Sequence, residues 1–134
     1  MKNEEQPLGI DYKDGSIIFE QNAIAKEMYV ILSGRVEVIK NRKGLITKLA
    51  TLEEGDFFGE MSLFDNKPRS ASVKALGNVR LLEIGKDKLL KSIMADPALA
   101  FKMLEKMGSR IRRQDDRIMD CLDEMRDATS HHEV

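Results

Sequence analysis

The sequence predicts a mainly β fold with C-terminal helices, in one domain spanning residues 1–134. Two observations carry this expectation. Up to Ile84 the apolar residues gather in short runs, several alternating or β-branched, and glycine turns separate them. Such spacing belongs to an all-β sandwich or barrel. After Gly85 the apolar period lengthens from two to about 3.6 residues, the repeat of a helix with one buried face. The β part is expected over about 14–85, helices over about 86–126, and a polar tail over 127–134.

Residues 1–13 are polar and weakly patterned, consistent with a short helix or an arm. Lys13-Asp14-Gly15 is a turn signal, and Ile17-Ile18-Phe19 begins the first apolar run. Met28-Tyr29-Val30-Ile31-Leu32 is short and apolar and predicts a buried strand, broken by Ser33-Gly34. Arg35–Lys40 alternates at its start and predicts a half-buried strand. Asn41-Arg42-Lys43-Gly44 is a hairpin loop, and Leu45–Leu52 is the returning strand. Glu53-Glu54-Gly55-Asp56 turns the chain again. Ala71–Ala75 and Val79–Ile84 are two further strands, split by Gly77-Asn78.

The helical region begins with an apolar stripe of Leu89, Leu90, Ile93 and Met94. Asp96-Pro97 stops that helix. Asp96 is then the expected N-cap of the next one, with Pro97 at its first position. The last helix is expected to run from Pro97 to about Arg126, some 45 Å at 1.5 Å per residue. Leu104, Met107, Ile111, Gln114, Ile118, Cys121 and Met125 recur at steps of three and four. All but Gln114 are apolar or cysteine, which is the pattern of a coiled-coil seam. A homodimer through residues 104–125 is the expectation. The alternative is a single amphipathic helix lying on the β part.

Between these regions lies the stretch from Phe58 to Ser72, where the chemistry concentrates. Gly59 permits close backbone approach to a ligand. Consecutive N–H groups at a turn or helix start form an anion-binding concavity. Arg69 offers a planar fork matched to two phosphate oxygens. Glu60, acceptor-only when ionised, suits a hydroxyl such as a ribose 2′-OH. A small molecule carrying a phosphate and a ribose fits this set.

The same stretch resembles the phosphate-binding cassette of the cyclic-nucleotide-binding domain family. Its pattern is F-G-E-x-small-L, a short loop, then R-[SAT]-A. Here it stands as Phe58-Gly59-Glu60, Ser62-Leu63 and Arg69-Ser70-Ala71. The glycines in Leu32-Ser33-Gly34-Arg35-Val36 and Glu54-Gly55-Asp56-Phe57-Phe58-Gly59 agree with it. The resemblance covers roughly residues 10–126. It implies an eight-stranded jelly-roll β-barrel followed by a long dimerisation helix. It implies that Glu60 binds the ribose 2′-hydroxyl and Arg69 the cyclic phosphate. Phe58, Gly59, Met61, Ser62, Ser70 and Ala71 complete the implied cassette, and Val38 and Leu49 would line a base pocket. Arg110, Gln114 and Asp115 lie where the last helix of the family can reach the base. The implied ligand is cAMP or cGMP. Ser70 does not separate them, since threonine there often accompanies cGMP preference and alanine cAMP preference.

Other classes find little support. A net charge of −1 argues against a dedicated nucleic-acid binder. Arg110, Arg112, Arg113 and Arg117 are offset by Asp115, Asp116, Asp120, Asp123 and Glu124. The single cysteine excludes an internal disulfide and a cysteine metal cluster, and fits a reducing cytoplasm. At a heptad position Cys121 reads as packing rather than as a redox switch. No apolar run approaches the ~18 residues of a membrane span. Both histidines, His131 and His132, stand in the polar tail, so no Ser/His/Asp set and no metal cofactor are expected, nor an enzyme. The expected function is a cyclic-nucleotide sensor, stand-alone or part of a longer protein such as a transcription regulator. The rival is an interaction module whose cassette no longer binds.

Overall fold

The computed structural model describes residues 8–132. Within this range the chain is a mainly antiparallel β sheet followed by helices. It divides into two compact units, one ending at Leu89 and the other starting at Leu90. The strands are β1 (Ile10–Tyr12), β2 (Ile17–Phe19), β3 (Glu27–Arg42), β4 (Leu45–Glu53), β5 (Phe57–Phe58) and β6 (Ser72–Gly85). The helices are α1 (Met61–Asp65), α2 (Lys86–Ala95) and α3 (Ala98–His132).

The strand order is β1-β6-β3-β4, with β2 also on β6 and β5 also on β3. The six strands fall short of the eight that the resemblance implied, and the path is open rather than closed among the described residues. The expected breaks at Ser33-Gly34 and Gly77-Asn78 are not strand ends. They lie opposite each other: Ser33 pairs with Arg80 and Arg35 with Leu76, so β6 has extra residues where β3 has its glycine.

A register shift of this kind bends a strand without ending it. Gly34 sits at φ 90° and Gly77 at φ 73°. A Cβ on Gly34 would stand 2.5 Å from the Asn78 carbonyl oxygen. The glycines that looked like punctuation are therefore the hinge of a continuous β3–β6 ribbon.

The other turns follow the sequence closely. Gly15 N–H donates to the Ala75 carbonyl and Gly77 N–H to Asp14 Oδ1, so the Asp14-Gly15 turn is tied to β6. The β3–β4 hairpin turns at Lys43-Gly44, both at positive φ. The expected arm over residues 1–13 is in part β1, paired with Val79–Leu81; residues 1–7 lie outside the described range. The core consists of Tyr29, Ile31, Val36, Leu52, Phe58, Val73, Ala75, Val79 and Leu81. It draws on β3, β4, β5 and β6.

In the helical region the stop and cap are those expected. α2 ends at Ala95, and Ala98 N–H donates to Asp96 Oδ1 at 3.2 Å. α3 runs on past Arg126 to His132, so residues 127–132 are helix rather than an irregular tail. Residues 133–134 of that tail lie outside the described range. Leu104, Ile111, Ile118 and Met125 are all exposed along α3. No helix among the described residues is long and apolar enough to cross a membrane.

The hinge generates a stability prediction. Gly34→Ala forces a side chain into a left-handed conformation and against a backbone oxygen. It is expected to cost about 1–3 kcal/mol. Urea denaturation followed by circular dichroism would show a lower midpoint with an unchanged slope.

Candidate functional site

The cassette begins where β5 leaves the core. Phe58 is buried, its ring stacked on Tyr29 at 5.3 Å between centroids. Gly59 follows at φ 81°, a conformation that reverses the chain and that side chains disfavour. Glu60 is the N-cap residue of α1, and its carboxylate makes no capping hydrogen bond there. It is only 8% exposed. α1 ends at Asn66 in the left-handed conformation. Ser62 Oγ donates to the Lys67 carbonyl at 3.3 Å, tying the helix to the loop that carries Arg69.

Arg69 is 3% exposed, an unusual state for a permanent cation. Its Nη1 donates to the Gly59 carbonyl at 2.8 Å and its Nη2 to the Glu27 carbonyl at 2.7 Å. Its Cζ lies 4.0 Å from the centroid of the Phe19 ring. Nε is buried with no hydrogen-bond partner among the described residues. The backbone of Arg69 is held as firmly. Its N–H donates to the Ala23 carbonyl at 2.9 Å, and its carbonyl accepts from Asn22 N–H at 2.8 Å.

Gly59 is also a steric requirement of this arrangement. A Cβ there would meet Arg69 Nη1 at 2.9 Å, with the Glu27 carbonyl and the Phe19 ring each at 3.3 Å. The glycine, the arginine and both of its non-cassette neighbours thus share one tight volume.

The electrostatics run in two directions. Burial pushes the Arg69 guanidinium below the usual arginine value. Tyr29, Glu27, Glu60 and Glu83 push it back up. An arginine keeps its charge in proteins, so the region holds a desolvated positive centre within reach of Glu60. Tyr29 donates its hydroxyl to Glu83 Oε2 at 3.2 Å. Burial first, and the Glu83 charge second, raise the Tyr29 phenol above its usual value, which keeps it a neutral donor.

The remaining expected residues are distributed as follows. Met61 and Ser70 are exposed, and Ala71 is buried at the start of β6. Val38 is half-buried on β3, paired with Ala50 and Val73. Leu49 is the extra residue on β4 at the register shift between Val38 and Ile39. Arg110, Gln114 and Asp115 lie on α3, in the second unit. The structure therefore brings together Phe58, Gly59, Glu60, Ser62 and Arg69 in one nest. It adds Phe19, Glu27 and the Asn22-Ala23 backbone, which the sequence did not point to. Phe19 read only as part of the first apolar run, and no local pattern links it to a residue 50 positions on.

A separate open concavity is lined by Asp11, Tyr12, Asp14, Ser33 and Arg80, among others, and shares no residue with the cassette. Its arginine is already engaged, Nη2 with Asp11 Oδ2 at 2.8 Å and Nη1 with the Leu8 carbonyl at 3.1 Å.

Residues 10–96 match the family described as cyclic nucleotide-binding domain. The chain is 27% identical over 114 residues to a CRP-like cAMP-activated global transcriptional regulator of Mycobacterium tuberculosis, covering 84% of this chain and 51% of that protein. The crystal structure of the Thermus thermophilus catabolite activator protein is similar at a TM-score of 0.73 and 32% identity, over 81% of this chain and 52% of that one. An EAL enzyme in its cAMP-bound form is similar at a TM-score of 0.61 and 33% identity, over 82% of this chain and 30% of that one. The chain thus spans about half the length of the curated regulator that it matches. The fold is of the catabolite activator kind.

The nest also makes Arg69 a structural residue. Arg69→Ala strands the Gly59 and Glu27 carbonyls and empties a buried volume. Hydrogen bonds from charged donors contribute about 1.5–3 kcal/mol each, so a loss of about 3–6 kcal/mol in unfolding free energy is expected without any ligand. Chemical denaturation of the two proteins side by side measures it.

Proposed function

The chain belongs to the cyclic nucleotide-binding domain family, and from that premise we propose that it is a non-catalytic sensor for a 3′,5′-cyclic nucleotide. The observation that carries this reading is the pair of buried ionisable side chains, Arg69 and Glu60, gathered around Gly59. A lone surface ion pair would be solvated and weak. A desolvated guanidinium is strong toward an anion, because little water has to be displaced to reach it. Arg69 is assigned to the cyclic phosphate. Glu60, a buried carboxylate that can only accept when ionised, is assigned to the ribose 2′-hydroxyl. Gly59, Met61, Ser62, Ser70 and Ala71 shape the cassette around them, with Phe58 as its anchor in the core.

cAMP is placed first and cGMP second, because the Mycobacterium tuberculosis relative is named as cAMP-activated. Val38 and Leu49 are assigned to the base pocket, and one of Arg110, Gln114 and Asp115 to the base edge. Gln114 and Asp115 offer acceptors to an adenine amino group; Arg110 and Gln114 offer donors to ring nitrogens or a guanine carbonyl.

α3 is assigned to homodimer formation. Ile111 and Ile118 are each 57% exposed and Leu104 64%. Apolar residues in register over several turns favour a second helix over water. Ligand binding is coupled to the placement of that helix. Residues 1–134 act on this reading as one sensor domain, with no membrane or nucleic-acid contact of their own and a cytoplasmic setting.

Titration calorimetry against cAMP, cGMP and non-cyclic AMP tests the reading directly. Binding to neither cyclic nucleotide would refute it. Arg69→Ala, assayed where it remains folded, is expected to lose at least roughly thirtyfold in affinity, since breaking one side of a buried charge pair costs about 2–5 kcal/mol. Glu60→Gln is expected to lose about 1–2 kcal/mol, because charge-assisted bonds are about twice as strong as neutral ones. A 2′-deoxy ligand should lose less on Glu60→Gln than on the parent; simply additive losses would remove Glu60 from that hydroxyl.

The helix is tested separately. Replacing Ile111 and Ile118 with glutamate is expected to give monomers that bind more weakly and discriminate less between cAMP and cGMP. Sedimentation alongside ligand titration reads both effects. A monomeric variant with full affinity and selectivity would uncouple the helix from the site.

A further inference from the structure

Arg69 is held from one direction by the cassette and from the other by a segment outside it. That segment is Phe19–Glu27, the end of β2 and the connection into β3. It supplies the ring under the guanidinium, the carbonyl that accepts Nη2, and both backbone hydrogen bonds that flank Arg69. The Phe19 ring is itself fixed. It lies 5.9 Å from Tyr29 and 5.7 Å from Phe58 between centroids, tilted against both. Tyr29 and Phe58 are core residues stacked on each other. The ring therefore stands between a rigid aromatic pair and the guanidinium.

A guanidinium has five N–H donors in one plane. Two carbonyls fix its position, but each allows some swing about the hydrogen bond. A flat π face at 4.0 Å restricts the tilt of that plane and attracts the charge, most strongly where water is excluded.

We propose that Phe19 is a positioning residue for anion binding, its ring face setting the plane of the Arg69 guanidinium for a phosphate. This rests on the phosphate role proposed for Arg69. Phe19 touches no ligand in this assignment; it acts through the arginine. An aliphatic side chain fills the volume but supplies no such face.

The test compares Phe19→Leu with Phe19→Tyr, each alone and in an Arg69→Gln background. Affinity for cAMP is read by titration calorimetry and stability by urea denaturation. Phe19→Leu is expected to weaken cAMP binding roughly tenfold, and Phe19→Tyr by less than about twofold. In the Arg69→Gln background Phe19→Leu is expected to change affinity by less than about twofold, because the cation it positions is gone. Equal losses for leucine and tyrosine, or a full loss retained in the Arg69→Gln background, would make Phe19 a packing residue and overturn the proposal.

A second readout needs no ligand. In nitrogen-15 spectra the Arg69 Nε–H is expected upfield, from the ring current, and slow to exchange with water. Phe19→Tyr should preserve both properties; Phe19→Leu should remove the upfield shift and, with the guanidinium plane no longer held, speed the exchange. An unshifted, fast-exchanging Nε–H in the parent protein would overturn the proposal even if cAMP binds. If neither cAMP nor cGMP binds the parent, the sensor reading fails, and the spectra alone decide whether Phe19 orders Arg69; if only cGMP binds, the same titrations are read with cGMP.

Discussion

A guanidinium withdrawn from water is the constraint on which the cassette depends. Arginine cannot shed its proton to escape burial, so the fold must surround it with compensating groups. It does so with two carbonyl oxygens, one aromatic face and several acidic side chains close enough to act on its charge. Each partner comes from a different part of the chain. Gly59 belongs to the turn after β5, Glu27 opens β3, and Phe19 ends β2. The arginine therefore pins three segments together, and each segment explains a residue nearby. Gly59 has no side chain because the guanidinium occupies that space. Phe58 and Tyr29 stack behind Phe19 and stiffen the platform. On the proposed reading stability and recognition use the same cation, and a substitution at Arg69 would act on both.

The β3–β6 ribbon provides the frame for this arrangement. Its two strands remain paired from Glu27–Gly85 to Ile39–Ser72. They manage this only because Gly34 allows a sharp bend against the Asn78 carbonyl. The far end of the ribbon carries β1 and the near end carries β2, both on β6. Phe19 therefore reaches Arg69 through its pairing with Val73, four residues beyond the arginine. A second tether comes from Gln21, whose amide exchanges two hydrogen bonds with the Asn41 backbone while its own N–H donates to Ser72 Oγ. The connection that cradles Arg69 is thus fastened both to the β3–β4 hairpin and to β6.

α3 illustrates a different balance. Its apolar residues are exposed along several turns, which water penalises and a partner helix would relieve. Gln114 interrupts the stripe with a polar amide, the kind of residue that sets register in a helix pair. Its charged faces carry both signs, as in the Asp123–Arg126 pair at 2.7 Å. Such exposed pairs add little stability but keep the outer faces solvated. A helix of this composition is poorly suited to stand alone and well suited to pairing.

Local chemistry determined a good deal by itself. The mainly β character, the Asp96 cap, the hairpin at Lys43-Gly44 and the change to helical period after Gly85 are all short-range effects, and all are written in adjacent residues. The grouping of Gly59, Glu60 and Arg69 was legible for the same reason, since they sit in one short stretch. The strand count was not. A glycine at positive φ ends a strand in one context and bends it in another, and the choice at Gly34 and Gly77 depends on the two lying opposite each other. The continuation of α3 past Arg126 was not legible either, because a polar sequence carries no stop signal when it also lacks glycine and proline. Phe19, Glu27 and the Asn22-Ala23 backbone were invisible for the strongest reason. Their role arises from contacts across some 40 to 50 residues, and Ala23 acts only through a carbonyl that every residue type possesses. Sequence specified which side chain would carry the charge; only the tertiary structure decided what would surround it, because compensation of a buried cation is a property of the space around it and not of the residues beside it in the chain.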